Sequence, residues 1–243
     1  MMDQAGKHTN HFSGIAGQNI SYYDEIAGSY DSILDSDPAN ERIRQRVART
    51  MTQAVKEGRV LDFGGGTGKD LGWLSRHRYD IIFCEPSAEM RERAIAFNNS
   101  MVHNHSIYFL EGAATDFSSW QQALPFAEKM DAILSNFAVF NSIADIGLLF
   151  KNLALAAKPG AHLIALVLRY NTRKMLKTGP ANVVRSFISG KPATMQVQYK
   201  THLQTVYLHT PGQIKKAAAP WFDLRNSEPV ENSGFSLLHF TRR

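Results

Sequence analysis

The middle of the chain alternates between short apolar runs and longer amphipathic stretches. Five apolar runs have the length of buried strands: 59–63, 79–84, 106–110, 130–135 and 161–168. Helical patterns separate them, at 67–77, 87–98 and 145–158. Repeated β-α-β units predict a parallel sheet with helices on both faces, and the right-handed crossover rule narrows this to a doubly wound, Rossmann-like α/β fold.

Two helices are predicted before this core. Residues 1–18 are rich in Gly, Asn, His and Gln, which predicts a flexible arm. Ser21 is a candidate cap for a helix over 21–29, and Asp37-Pro38 opens a second helix. The second helix has an apolar stripe spaced by four, and we place its arginines on the surface: Arg42, Arg44, Arg46 and Arg49.

The alternation of strand and helix patterns ends after residue 168. Residues 169–209 form a predicted insertion after strand five, with a strand or hairpin over 195–208. A short helix over 211–219 follows, and a closing antiparallel pair over 221–230 and 235–242 completes a seven-stranded sheet.

Charge is distributed unevenly along the chain. Residues 1–145 carry 13 Lys/Arg and 19 Asp/Glu, whereas residues 146–222 carry 11 Lys/Arg and no carboxylate. A connection leaving strand five starts at the carboxyl edge of the sheet, where open α/β sheets bind ligands. We therefore predict a basic lid that attracts anions; the alternative is a solvated basic surface.

Composition excludes several classes of protein. The 243 residues are 44% hydrophobic and 20% charged, as in globular domains. No apolar run approaches 18 residues, and the polar N-terminus lacks a signal-peptide core, so we expect no membrane span and a cytoplasmic protein. A single cysteine, Cys84, excludes an intrachain disulfide and a cysteine-rich zinc site, and we expect no metal. The oligomeric state stays open.

The turn after strand one reads D-F-G-G-G-T-G over 62–68. Glycines let the backbone turn tightly and approach a ligand closely. A phosphate-binding loop would need glycine at Phe63, and the dinucleotide pattern would need glycine at Lys69. Asp62 would repel a pyrophosphate but attract an α-ammonium group. The turn therefore predicts a ligand with an amino-acid moiety and no phosphate.

Strand two ends in Glu85, 17 residues after Gly68. A carboxylate there can accept hydrogen bonds from both hydroxyls of a ribose. The alternative role is interaction with the dipole of the next helix, which Pro86-Ser87 opens.

These motifs resemble the class I S-adenosylmethionine-dependent methyltransferases, and more closely the small-molecule group related to the ubiquinone/menaquinone methyltransferases. The resemblance covers residues 20–168 and, loosely, 208–242. It rests on the N-terminal motif, motif I, the ribose segment, the adenine segment, the fourth-strand motif and the motif before strand five: 22–31, 60–68, 83–87, 109–116, 130–136 and 155–160.

The resemblance implies one methyltransferase domain over 19–243, S-adenosylmethionine as cofactor, S-adenosylhomocysteine as product and in-line transfer to a small anionic metabolite. The family often has an acid at the position of Ala113, so Asp116 or a nearby carbonyl would replace it. The cofactor-binding residues expected from it are Tyr30, Asp62, Gly64, Gly65, Gly66, Gly68, Glu85, Pro86, Met90, Ala113, Ala114, Asp116, Asn136 and Phe137.

The acceptor side is less defined. The histidine that the family often has after strand four is absent. The candidate bases are His202 and Tyr170, and the candidate substrate contacts are Arg169, Arg173 and Asn141.

Two absences argue against a nucleic-acid substrate. The D/N/S-P-P-Y/F motif of amino-group DNA methyltransferases is missing after strand four. A pyrimidine C5 methyltransferase needs a cysteine nucleophile, and the single cysteine, Cys84, is expected inside strand two, far from the site. The open alternatives are a carrier-protein-bound or nucleic-acid substrate that meets the basic surface, and a cofactor-binding protein without methyl transfer.

Overall fold

The computed structural model describes residues 14–101, 106–170, 186 and 189–243. Its helices and strands, in chain order, are α1 (Gly14–Asp35), α2 (Pro38–Ala54), β1 (Glu57–Phe63), α3 (Leu71–Leu74), β2 (Arg78–Cys84), α4 (Ala88–Asn99), β3 (Ile107–Phe109), β4 (Met130–Ser135), α5 (Ile146–Ala156), β5 (Ala157–Leu168), β6 (Ala193–Tyr199), β7 (His202–Leu208), α6 (Pro211–Ala218), β8 (Phe222–Pro229) and β9 (Phe235–Arg242).

Seven strands form one sheet in the order β3-β2-β1-β4-β5-β9-β8. Strands β1 to β5 are parallel, while β9 runs antiparallel to β5 and to β8. The strand order reverses between β1 and β4, and their carboxyl ends form the crevice in which open α/β sheets bind ligands. The predicted doubly wound, seven-stranded α/β fold is confirmed.

Two apolar layers cover the sheet, because alternate strand residues point to opposite faces. Leu61 and Ile133 pack on the face that α5 and α6 cover, together with Phe150. Val60 and Ala132 pack on the opposite face, which α2 covers through its buried stripe of Ile43, Val47 and Met51. Asp37 caps α2 by accepting a hydrogen bond from the Ala39 N–H.

Two helices differ from the prediction at both ends. Helix α1 runs from Gly14 to Asp35, so residues 14–18 of the predicted arm are helical and the predicted cap Ser21 lies inside the helix. The predicted helix over 67–77 shortens to Leu71–Leu74. Its start moves to residue 71 because Gly68 has a positive φ angle, which is incompatible with a right-handed helix. None of the helices in the described ranges is long and apolar enough to cross a membrane.

A hairpin of β6 and β7 forms a separate two-stranded sheet inside the predicted 169–209 insertion. It packs on α1 through the side chain of Asn19, whose Nδ2 donates to the Thr205 carbonyl (3.0 Å) and whose Oδ1 accepts from the Thr205 N–H (2.8 Å). We call α1 and this hairpin the roof. Its function as a lid stays a prediction, and Arg173 lies outside the described residues.

Candidate cofactor and acceptor site

One cavity opens at the carboxyl ends of β1, β2 and β4, against α1. It encloses about 1080 Å³, counting its open mouth. The structure brings nine of the predicted cofactor-binding residues to its wall: Tyr30, Gly64, Gly65, Gly66, Glu85, Pro86, Met90, Asn136 and Phe137.

The glycines of the turn after β1 have different tasks. A Cβ on Gly65 would lie 2.2 Å from the Phe83 ring, and one on Gly68 would lie 2.8 Å from the Ala94 Cβ, so both permit close packing. Gly66 has a φ of +59° and faces open space, with Tyr30 Cε1 the nearest atom at 3.8 Å. Gly66 is therefore the glycine that leaves room for a ligand.

Asp62, the second-last residue of β1, is 1% exposed and lies behind the cavity wall, not on it. Its Oδ2 has no hydrogen-bond partner. Burial is the main cause that raises its pKa well above the usual range, and the nearby carboxylate of Asp70 adds to the shift, which Arg44 opposes. A buried carboxylate oxygen without a donor fits a cationic N–H donor on a bound ligand.

Glu85 follows β2 and is also buried. Its Oε2 accepts from the Gly66 N–H and its Oε1 accepts from the Ser87 N–H, both at 2.9 Å. Burial raises the pKa of Glu85 to about 7, and the two N–H donors limit that shift. Because each oxygen keeps a further lone pair, Glu85 can still accept hydroxyl groups of a ribose.

Arg44 reaches the same cavity, although we predicted it on the surface. It lies one residue beyond Ile43 of the buried stripe, so its side chain leaves the edge of that stripe. Its Nη1 pairs with Asp70 Oδ1 at 2.7 Å, and its guanidinium lies 4.8 Å from the centre of the Phe137 ring. A stripe of spacing four does not resolve one position on a helix face, which is why sequence reasoning missed Arg44 and, with it, the partner that Arg44 has in Asp70.

Helix α1 of the roof and the segment after β4 supply the opposite wall. The residues that line the cavity there are mostly apolar: Ala16, Asn19, Ile20 and Tyr23 from α1, and Val139, Ser142 and Ile143 after β4. Gln204 Nε2 donates to the Tyr23 hydroxyl at 2.7 Å. Burial raises the pKa of Tyr23, so this phenol stays protonated and can donate but not act as a base at neutral pH.

The predicted adenine segment meets the cavity through other residues. Ala113 and Ala114 lie in a 3-10 helix, Gly112–Thr115, and do not line the cavity, whereas Thr115 and Phe117 do. The Asp116 carboxylate accepts from the Ser118 N–H at 2.9 Å and caps the next turn. Asp116, which we expected to replace the acid that the family often has at the position of Ala113, is therefore engaged in a local cap.

Asn141 has a structural role in place of the predicted substrate contact. Its Nδ2 donates to the Tyr207 carbonyl and its Oδ1 accepts from the Leu168 N–H, both at 2.8 Å. The side chain is 2% exposed and ties the hairpin to β5.

Among the described residues, the predicted Arg169, Tyr170 and His202 also lie off the cavity wall. The Nη2 of Arg169 donates to the Ser233 carbonyl at 2.7 Å. Tyr170 packs against the hairpin cluster. His202 Nε2 lies 3.8 Å from Glu25 Oε2. The structure does not bring these candidates to the cavity.

Cys84, expected far from the site, lines the cavity. Burial raises the pKa of its thiol well above the usual range, and Sγ lies 3.7 Å from the Thr115 carbonyl. A thiol held protonated is a poor nucleophile, so protonation and not distance argues against C5 chemistry.

Comparison with known proteins agrees with this geometry. A family model described as a methyltransferase domain matches residues 36–218. The chain belongs to this family. The predicted class of enzyme is therefore confirmed.

Solved structures share the fold of this methyltransferase at low identity. The DhpI complex with SAM and HEP is 16% identical with a TM-score of 0.66, covering 96% of this chain and 99% of that one. The N-methyltransferase NodS from Bradyrhizobium japonicum, in complex with S-adenosyl-L-homocysteine, is 14% identical with a TM-score of 0.60, covering 93% and 98%. The shared fold is thus one that carries S-adenosylmethionine or its product in both of these structures.

A curated relative is the tRNA 5-carboxymethoxyuridine methyltransferase of Escherichia coli K12. It is 27% identical over 181 residues, which are 74% of this chain. The matched region spans 64% of the length of that relative. This likeness does not support our argument against a nucleic-acid substrate.

Proposed function

We propose that this methyltransferase binds S-adenosylmethionine along the turn after β1 and passes its methyl group to an acceptor held under the roof. One observation carries the proposal: buried Glu85 lines the cavity, and the unpartnered Oδ2 of buried Asp62 lies directly behind the cavity-lining Gly65, 2.8 Å from where a Cβ on Gly65 would stand. Asp62 would meet the ammonium end, Glu85 the ribose and Arg44 the carboxylate of the amino-acid moiety. Gly66 leaves the space between them.

The bound cofactor supplies an electrophilic methyl group on a sulfonium. The chain itself has to hold an acceptor in line with that group and exclude water. In the described part of the chain, the ionisable carboxyls on or beside the wall belong to the cofactor end, and Tyr23 stays protonated. This favours an acceptor whose nucleophile needs no enzyme base, such as a carboxylate or an unprotonated amine.

A small acceptor is proposed because the cofactor would share the same cavity and leave the acceptor only the part beside α1 and residues 139–143. Its anionic charge is proposed from the basic 146–222 segment alone. Within the described ranges, the cations on the wall are Arg44 and Lys69, which pair with Asp70 and Asp35. Location in the cytoplasm likewise stays a prediction.

Calorimetry with S-adenosylmethionine and S-adenosylhomocysteine tests the binding step. Glu85→Ala should weaken binding by about 1–3 kcal/mol, because charge-assisted hydrogen bonds to the ribose are lost. Glu89→Ala, at an exposed position in the first turn of α4, is the matched control and should bind like wild type. Wild type that binds neither compound, or Glu85→Ala with wild-type affinity, would contradict the proposal.

Release of S-adenosylhomocysteine separates the enzyme from a protein that only binds the cofactor. Incubation with a panel of carboxylate and amine acceptors should yield it together with a methylated product. Tight cofactor binding with no turnover on any panel member would favour the binding-protein alternative.

A second candidate acceptor is RNA. The E. coli relative acts on tRNA by name. The face formed by α2 and β8 exposes Arg42, Arg49 and Arg225, and none of these has an ion pair within the described ranges. Exposed cations on one face are what a phosphodiester backbone requires.

Salt dependence of tRNA binding decides between the two candidates. The logarithm of the association constant falls with the logarithm of the salt concentration, and each lost phosphate contact makes that slope less steep by about 0.7–0.9. The triple variant Arg42→Gln, Arg49→Gln, Arg225→Gln should therefore make that slope less steep by about 2. Lys129→Gln, Lys215→Gln, Lys216→Gln, on exposed positions elsewhere, is the charge-matched control. Absence of tRNA binding in 50 mM salt, or equal slopes for both variants, would reject the RNA candidate.

A further inference from the structure

Four side chains from three separate segments form a closed ring at the cofactor end of the cavity. Arg44 pairs with Asp70 at 2.7 Å, and Asp70 Oδ2 accepts from Asn136 Nδ2 at 2.9 Å. Asn136 Oδ1 accepts from the Phe137 N–H at 3.0 Å, and the Phe137 ring lies under the Arg44 guanidinium. We call these four residues the Asp70 ring, and all of them line the cavity.

Asp70 is the residue on which the ring depends. Its carboxylate is 4% exposed and accepts from Arg44, Asn136 and Trp73, the last at 2.7 Å. It stands directly before α3, yet its side chain makes no capping bond to that helix. A carboxylate at this position would ordinarily cap the helix. Here it is committed to long-range partners from α2 and from the end of β4.

The ring ends at a strained turn. Phe137 and Ala138 have φ angles of +47° and +66°, so two consecutive residues with side chains occupy the left-handed region. Such residues persist only where surrounding contacts fix them. Asn136 holds the Phe137 N–H, and the Ala138 N–H donates to the Leu166 carbonyl at 2.9 Å. The turn leads directly into the 3-10 helix Val139–Ser142, which lines the acceptor side.

We propose that Asp70 is a positioning residue that fixes Arg44 at the cofactor end and, through Asn136, fixes the 137–138 turn that carries the acceptor wall. One carboxylate thereby sets the relative position of both ends of the cavity. The inference rests on the proposed function, because Arg44 is taken to meet the cofactor.

Asp70→Asn tests it without changing the size of the side chain. Calorimetry should show S-adenosylmethionine binding at least tenfold weaker than in wild type. Hydrogen exchange of the amides in 137–143 should rise in the absence of any ligand. Trp73→Phe is the matched control, since it removes a donor to the same carboxylate from outside the ring; its affinity should stay within about twofold of wild type.

An exchange variant separates positioning from general destabilisation. Asp70→Asn combined with Asn136→Asp restores a carboxylate and an amide facing each other and keeps a charge within the ring. It should recover most of the lost affinity and the protection of 137–143. A purely structural role for Asp70 predicts that the double variant is worse than either single one.

The outcomes are distinct from those of the proposed function. Wild type that binds no S-adenosylmethionine overturns the function, and this inference with it. Wild type that binds, with Asp70→Asn within twofold, overturns the inference alone. If Asp70→Asn fails to fold, Asn136→Ser decides through hydrogen exchange without ligand, because Asn136 also lines the cavity and a loss of affinity could reflect a lost cofactor contact. Exchange of the amides in 137–143 should rise, and unchanged exchange contradicts the inference.

Discussion

The cofactor end and the roof line the same cavity but are built in opposite ways. The cofactor end comes from the carboxyl ends of adjacent parallel strands, with Asp62 near the end of β1 and Glu85 directly after β2. The roof comes from α1 and a hairpin nearly 190 residues later in the chain, joined by Asn19 and Thr205. One end is set by local turns and the other by long-range contacts.

The two regions also differ in whether their buried polar groups have hydrogen-bond partners within the protein. At the cofactor end, Asp62 Oδ2 is buried without a donor, which costs free energy until a ligand supplies one. In the roof, Asn19 and Gln204 are bonded to neighbouring protein groups. The cofactor end is therefore prepared for a charged ligand, while the described part of the roof offers an acceptor mainly shape.

The largest effect is expected at the turn after β1. A Cβ on Gly65 would lie 2.2 Å from Phe83 and 2.8 Å from Asp62 Oδ2, so Gly65→Ala should destabilise the fold by about 3 kcal/mol. Urea unfolding measures this. Gly160→Ala, where no atom lies within 4 Å, should cost only the strain of its positive φ, about 1 kcal/mol. Equal losses in the two variants would show that packing at the turn is loose.

Glu85 predicts a pH dependence of stability without ligand. Its pKa is raised from 4.5 to about 7 in the folded state, so the native protein binds more protons than the unfolded chain within that window. Stability should therefore fall as pH rises from about 4.5 to 7, by up to about 3 kcal/mol from this group. Glu85→Gln should remove that part of the slope. If the free energy of unfolding changed with pH equally in wild type and in Glu85→Gln, the burial argument would be contradicted.

The roof should respond more weakly. Asn19→Ala leaves the buried N–H and carbonyl of Thr205 without their partner, at a cost of about 2 kcal/mol. Urea unfolding should report this loss, with increased hydrogen exchange confined to α1 and 193–208. Exchange that rises equally at β1 and β2 would show that the roof and the sheet unfold as one unit.

Sequence patterns predicted the sheet because its signals are local. The five parallel strands and the closing antiparallel pair each have an apolar run. In the turn 62–68, glycines mark the positions that have positive φ angles. Seven of the nine predicted cofactor-binding residues that reach the cavity do so for the same reason, since they stand beside a strand end; Tyr30 and Met90 reach it from α1 and α4.

The acceptor side could not be predicted in this way. His202 and Tyr170 were chosen by residue type, but the fold turns them to Glu25 and to the hairpin cluster. Tyr23 reaches the cavity only because α1 docks on the hairpin. Arg44 and Asp70 depend on the exact rotation of α2 and on a carboxylate that does not cap its helix. No short pattern encodes such contacts.

The most direct test of the account is the S-adenosylmethionine affinity of three variants, measured by calorimetry at one pH. Gly66→Ala places a methyl group at the cavity wall, Gly160→Ala introduces the same kind of backbone strain elsewhere, and Asn19→Ala loosens the roof. We expect Gly66→Ala to bind at least tenfold more weakly, and the other two to stay within about twofold of wild type. Wild-type affinity in Gly66→Ala, or an equal loss in Asn19→Ala, would contradict a cofactor end that is separate from the roof.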